Sequence, residues 1–352
     1  WLGARVLILD EPTTGISARQ RQELFDTLRR LAAQGKTVLF VSHKLEEVQE
    51  LCTRVAVLRQ GRLVGEALPP FRVDRLVTMM FEREVSPGER AECSSGPPLL
   101  RLSNLGAEHG RIRFDGLDLE VCAGETIGLA GMEGSGQSLL LQACSGLAPA
   151  IAGRVRLSGV DLTGKSYHHF QKRGVAYVPA TRLEEGLVPG LSLTEHFLLT
   201  DRKPGFFINR EKGRRVAEER ISEFNIKGAP ANPVESLSGG NQQRALLALV
   251  RPDAKLMLLE QPTRGLDVES VIYLWSKLKE RCARGEAIIF TSSDLDELLR
   301  YSDRILVFFA GRVSGPIDAA GTTVDELGQM IGGGSVDMVT AASAGDPEGA
   351  HV

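Results

Sequence analysis

Two glycine-rich runs and two strand-end pairs of polar residues carry most of the chemistry that this sequence could perform. In Leu129-Ala130-Gly131-Met132-Glu133-Gly134-Ser135-Gly136-Gln137-Ser138, glycines and hydroxyls separate an apolar run, Thr126–Leu129, from another at Leu139–Cys144. Gly131, Gly136 and Ser138 fit the spacing G-x-x-x-x-G-K-[ST], with Gln137 where the pattern has lysine. A strand, a glycine loop and the start of a helix place several backbone N–H groups around one anion. Gly131, Glu133, Gly134, Ser135, Gly136, Gln137, Ser138 and Leu139 are therefore expected to hold phosphate oxygens, and the Ser138 hydroxyl a divalent cation. Gln137 removes a cation from the terminal phosphates. Hydrogen bonds to charged groups run about 1.5–3 kcal/mol, so binding is expected to persist but to weaken. A plain glycine turn is the alternative.

The second run is Leu237-Ser238-Gly239-Gly240-Asn241-Gln242-Gln243-Arg244, followed by Leu246, Leu247, Leu249 and Val250 at helical spacing. Two glycines allow close backbone approach, and the free N–H groups of the first turn favour an anion. Ser238, Gly239, Gly240 and Gln242 are candidates for that contact. A glycine turn that merely caps a helix would read the same way, but this one lies about 20 residues before a strand that ends in an acidic residue.

The strand-end pairs are Asp10-Glu11, after Val6-Leu7-Ile8-Leu9, and Glu260-Gln261, after Leu256-Met257-Leu258-Leu259. Acidic residues at a strand end are candidates for chemistry, with a solvated pair as the alternative. Gln261 cannot serve as a base. His43, after Val38–Val41, is a third candidate, and Ser293 stands in the corresponding place.

These correspondences follow from an internal repeat. Arg5–Gly65 aligns without gaps on Lys255–Gly315 at a constant offset of 250. Each copy predicts an apolar strand, an amphipathic helix (Ala18–Ala33 in the first), a glycine stop at Gly35 or Gly285, a second strand, then another helix and strand. Alternating buried strands and helices predict an α/β fold with a largely parallel sheet, and ligands bind such sheets at the carboxyl ends of their strands. The predicted organisation is the C-terminal part of a first unit at 1–84, a linker at 85–98, a second unit at 99–332 and a disordered tail at 333–352. Counting back by the offset, roughly the first 150 residues of the first unit are expected to precede Trp1.

Composition excludes several other classes. The 352 residues are 42% hydrophobic and 25% charged with a net charge of −3, ordinary values that allow a sizeable core. No basic block marks a nucleic-acid face, and no apolar run approaches the ~18 residues of a membrane span. Five scattered cysteines without a C-x-x-C pair argue against a disulfide framework or a zinc site.

Leu237–Arg244 resembles the signature motif of ABC ATPases, in the spelling of the sugar and nucleoside importer group with two fused ATPase units. That resemblance covers Arg5 to about Gly332. It implies a P-loop NTPase fold of the ABC type, with a parallel sheet core, a helical subdomain and an antiparallel β subdomain. It implies ATP and Mg²⁺ as ligands. Asp10 would hold Mg²⁺ through water, Glu11 would polarise the attacking water, and His43 would steady that water against the γ-phosphate. It further implies transmembrane permease subunits as partners, an extracytoplasmic substrate-binding protein acting indirectly, and a peripheral place on the cytoplasmic face of the membrane. The departures are Gln137, Gln261 and Ser293, and the lack of a glutamine in Tyr177–Arg182, which looks like the Q-loop region. Each ATP in such proteins lies between the phosphate loop of one unit and the signature motif of the other. The site with Asp10, Glu11 and His43 is therefore expected to hydrolyse, and the site with Glu260 and Gln261 to hold nucleotide. Gln261–Asp267, together with Gln137, looks more like the nucleoside branch than the ribose branch. A soluble translation-factor-like ABC ATPase and a non-catalytic nucleotide-binding remnant are the alternatives.

Overall fold

The computed structural model describes residues 4–10, 12–13, 18–42, 45–59, 61–72, 75–76, 79, 98–200, 209–333 and 338–339. The chain divides into two compact units, Trp1–Glu89 with Asp267–Glu269, and the remainder of Arg90–Val352.

In the first unit, β1 (Val6–Asp10) is followed by α1 (Ala18–Ala33), β2 (Thr37–Val41), α2 (Leu45–Leu51), β3 (Val55–Arg59) and β4 (Arg62–Ala67). β1 and β2 pair in parallel, Val6 with Thr37 through Asp10 with Val41. α1 buries Phe25 and Leu28, carries Arg30 in its last turn, and is stopped by Gly35 at φ 79°. There the left-handed backbone is cheap only for glycine.

The second unit runs β5 (Pro98–His109), β6 (Ile112–Cys122), β7 (Thr126–Gly131), α3 (Gln137–Ser145), β8 (Ala150–Leu157), β9 (Val160–Asp161), α4 (Tyr167–Lys172), β10 (Val175–Val178), α5 (Leu193–Leu199), α6 (Arg210–Glu223), α7 (Gly239–Ala248), β11 (Leu256–Glu260), α8 (Val268–Ala283), β12 (Ala287–Thr291), α9 (Leu295–Tyr301), β13 (Arg304–Phe309), β14 (Arg312–Ser314), β15 (Ile317–Asp318), α10 (Val324–Ile331) and β16 (Met338–Val339). The order β10-β11-β12-β7-β13 is parallel throughout, and β14, β15 and β16 add antiparallel pairings at one side. A separate antiparallel sheet has the order β6-β5-β8-β9.

The central strands are apolar except at their ends because both faces are covered. Met257, Leu259, Ile288, Phe290, Ile305 and Val307 meet the core that includes α7 and α8. Leu256, Leu258, Ile289, Leu306 and Phe308 meet the core under α3 and the antiparallel sheet. Two ion pairs brace this body, both at 2.6 Å: Arg281 to Glu286, buried on both sides, and Arg304 to Glu125, in which only the carboxylate is buried.

The sequence repeat is repeated in the backbone. The register Val6↔Thr37 becomes Leu256↔Ala287, and Leu58↔Leu63 becomes Phe308↔Val313, at the same offset of 250. α1 and α8 share bounds at that offset, as do α2 and α9. Burial differs. Val6, Ile8, Leu39 and Val41 are each half or more exposed, whereas Leu256, Leu258, Ile289 and Thr291 are buried.

Pro98 is the first residue of β5 and pairs with Cys122. Met338 and Val339, in the stretch expected to be disordered, pair with Ser314 and Val313. Two apolar residues there suffice to add backbone hydrogen bonds to a sheet edge.

Candidate functional site

The carboxyl ends of β7, β11 and β12 converge on a loop, a carboxylate and a polar pair. β7 delivers Gly131 to the loop 132–136, and α3 starts at Gln137 with Gly136 as its uncapped N-terminal residue. Gly131 (φ 153°), Gly134 (φ 82°) and Gly136 (φ 120°) turn the chain. Gly131 admits no side chain: a Cβ would lie 2.5 Å from Nε2 of Gln137 and 2.8 Å from the Phe308 carbonyl oxygen. The Met132 carbonyl accepts from Ser135 N–H at 3.0 Å and from Gln137 Nε2 at 3.2 Å. Gln137 is buried and folds back across its own loop. Ser138 is exposed, Leu139 is buried, and Glu133 and Gly134 are exposed.

Glu260 ends β11, 7% exposed. Tyr177 Oη donates to it at 2.8 Å, with the Ser138 hydroxyl and the Ala180 backbone N–H nearby. Burial pushes the Glu260 carboxyl above the usual carboxylate range, and these groups oppose that rise without cancelling it. Burial, and then the nearby Glu260 charge, push the Tyr177 phenol well above its ordinary value. The parallel pairing of β10 with β11 sets Tyr177 beside Leu258, so the ring reaches the strand end. The sequence gives no role to Tyr177; the available signal is its place two residues before Pro179 at a strand end.

Gln261 adopts φ 46°, a left-handed conformation unusual outside glycine. Its N–H donates to both the carbonyl and the hydroxyl of Thr291 at 3.1 Å. Its side-chain oxygen accepts from Ser293 N–H at 3.2 Å and from the Ser293 hydroxyl at 3.4 Å. Beneath this pair lies Glu297, 6% exposed, accepting from Thr263, Ser292 and Trp275 Nε1. The first unit keeps one of these contacts, Ser42 to Glu47 at 2.9 Å.

The second glycine run starts α7. Ser238 is exposed, Gly239 and Gly240 are half-buried, and no side chain caps the helix. The Ser238 hydroxyl accepts from Asn241 Nδ2 at 2.8 Å, and Asn241 Oδ1 accepts from Lys227 N–H at 2.7 Å. The run is held by its own residues while the first backbone N–H groups stay open. Gln242 departs from expectation. It is buried, and its Nε2 donates to the Val234 and Leu237 carbonyls at 3.2 and 3.1 Å. It shapes the turn instead of reaching outward, because its position on the helix points into the core.

Asp10 ends β1, exposed, paired in register with Val41. Glu11 and His43 lie outside the described residues. No helix among the described residues is long and apolar enough to cross a membrane.

Comparison with known proteins gives a consistent set of likenesses. The family described as ABC transporter matches residues 114–264. The ribose import ATP-binding protein of Chromobacterium violaceum is 37% identical, over 97% of this chain and 69% of that protein. The nucleoside import ATP-binding protein of Lactococcus lactis subsp. cremoris is 33% identical, over 95% of this chain and 68% of that protein. Among solved structures, an ATP-binding cassette in a dimeric post-hydrolysis state with ADP and phosphate aligns with a TM-score of 0.55 at 21% identity. It covers 63% of this chain and 100% of its own. An ATP-binding subunit of an ABC transporter aligns with a TM-score of 0.56 at 23% identity, over 66% of this chain and 99% of its own. At these identities the structures bear on fold.

Proposed function

Since the chain belongs to the ATP-binding proteins of ABC transporters, we propose that it energises import of ribose-type sugars or nucleosides as part of a protein with two ATPase units of unequal competence. The cargo classes follow the names of its relatives. Its partners are transmembrane permease subunits, with a substrate-binding protein outside the membrane acting through them, and it sits on the cytoplasmic face as a peripheral subunit. The two units are assigned to 1–84 and 99–332.

One observation carries the assignment: the open, uncapped start of α7 at Ser238–Gly240. A helix start without a side-chain cap offers N–H groups and a positive dipole end to a phosphate. Those groups would serve the terminal phosphate of a nucleotide whose remainder is held by another unit. In the second unit, the N–H groups of Gly131–Leu139 would hold the phosphates of its own nucleotide. The contact between Ser138 and Glu260 supports a Mg²⁺ site, since a hydroxyl and a carboxylate together suit a hard cation. Mg²⁺, when bound, neutralises charge between the β- and γ-phosphates. Gln261 and Ser293 supply no base there, so this site retains nucleotide.

In the first unit Asp10 would take the metal position, Glu11 would orient and polarise water, and His43 would steady it. Uptake of labelled ribose and nucleosides into vesicles carrying the permease, driven by ATP and the two-unit protein, tests the proposal. Uptake of either cargo that requires ATP supports it, and ATP turnover without uptake of either contradicts it.

A further inference from the structure

Arg182 opens the turn Arg182–Gly186 after β10, and its guanidinium lies against the start of α7. Its Nε donates to Oε1 of Gln243 at 2.8 Å, and its Nη2 donates to the Arg264 carbonyl. A Cβ on Gly239 would lie 2.8 Å from Nη1, and one on Gly265 would lie 3.5 Å from Nη2. The missing side chain of Gly239 makes room for the guanidinium at the first turn of α7, while Gly265 brings the loop after β11 into ordinary contact with it.

The charge balance of this arrangement is unusual. Both acceptors are neutral, so neither cancels the charge on Arg182. The helix start carries a partial positive charge of its own, about half an elementary charge. Partial burial, and then the proximity of Arg264, pull the Arg182 guanidinium below its ordinary value. A cation is thus packed against another cation and the positive end of a helix dipole.

Gln243 supplies an independent sign of a missing ligand. It is 1% exposed, its oxygen is taken by Arg182, and its buried Nε2 has no hydrogen-bond partner. Buried amide donors are nearly always satisfied. Gln243 lies four residues after Gly239, on the same face of the helix. That face therefore gathers donors and positive charge with no anionic acceptor.

We propose that Arg182 belongs to the phosphate site at the start of α7, adding a fixed cation to the backbone N–H groups of Gly239 and Gly240. The ligand is the terminal phosphate of a nucleoside triphosphate presented by another unit, and this step rests on the ATP-binding reading above. The same guanidinium ties the turn after β10 and the loop after β11 to that phosphate.

The test uses the ¹⁵N-labelled full chain and inorganic phosphate added at constant ionic strength. In the wild type, the amide resonances of Gly239, Gly240 and Asn241 shift and saturate. Arg182→Gln raises the phosphate Kd about tenfold or more, and its melting midpoint without phosphate stays level or rises because a repulsion has been removed. Gln243→Glu covers the case in which Arg182→Gln does not fold. It keeps the acceptor for Nε but neutralises the guanidinium, and phosphate binding weakens by a similar factor. Unchanged phosphate affinity in either variant overturns the proposal. So does shifting confined to exposed lysines and arginines elsewhere. A parallel titration with Mg-ATP separates the two claims: shifts at Gly131–Ser138 report nucleotide binding, and their absence sinks the ATP-binding reading whatever Arg182 does.

Discussion

Gln261 and Ser293 are bonded to each other: the side-chain oxygen of Gln261 accepts from the Ser293 N–H at 3.2 Å and from its hydroxyl at 3.4 Å. At the repeat offset these positions are Glu11 and His43 in the first unit. An amide and an alcohol that satisfy one another have no free basic lone pair to offer water. The second unit thus has a neutral contact between the end of β11 and the loop after β12 at the positions of Glu11 and His43. Glu260 beside it is likewise engaged, with Tyr177 as its donor and Ser138 and Ala180 nearby.

Gln137→Lys should tighten Mg-ATP binding by the second unit about tenfold, because a charged donor replaces a neutral one near the terminal phosphates. The new ammonium can still donate to the Met132 carbonyl, which Gln137 now contacts at 3.2 Å. Titration calorimetry with Mg-ATP measures the change. Equal or weaker binding would show that position 137 only braces its loop.

Tyr177→Phe should destabilise the chain by about 1–3 kcal/mol, the cost of leaving a buried acceptor without one of its donors. The loss falls on Glu260, which is 7% exposed. Urea unfolding gives the value. Glu260→Gln combined with Tyr177→Phe should cost less than the two single changes added together, since both act on one contact. Strict additivity would mean the bond contributes nothing.

Glu297 gives a pH prediction whose sign is fixed by its burial. Burial raises its pKa above the ordinary 4.5 despite bonds from Ser292, Thr263 and Trp275. The folded chain therefore holds this proton at pH values where the unfolded chain has released it. Its contribution to stability is fully present below the unfolded pKa and falls as pH rises from there through the folded one. Glu297→Gln lacks that titration. The stability difference, wild type minus variant, should shrink as pH rises from about 4.5 toward neutrality. A difference that grows over this range contradicts the assignment. Urea unfolding at a series of pH values supplies the comparison.

Much of this fold could be read from periodicity alone. The apolar runs at Leu256–Leu259 and Ile305–Phe308 are strands because only a sheet covered on both faces buries every residue of so short a run. The repeat carries over residue by residue into helix bounds and strand register, since a gap-free offset leaves no room for a shift. What could not be read is side-chain direction. Gln242 has the type and place of a ligand-facing residue, yet it turns inward to the Val234 and Leu237 carbonyls. Tyr177 and Arg182 lie 83 and 61 residues from Glu260 and Gln243, and only strand order brings each pair together. Met338 and Val339 were hidden by the small and acidic residues around them.

The central claim, that hydrolysis belongs to the first unit and retention to the second, is tested most directly by single-turnover ATPase rates in the two-unit protein. Glu11→Gln should lower the rate by about 10²-fold or more, the usual worth of a general base, while Gln261→Ala leaves it within about threefold, since an amide there contributes no proton transfer. Persistence of activity in Glu11→Gln, with loss on changing Gln261 or Glu260 instead, would contradict the account.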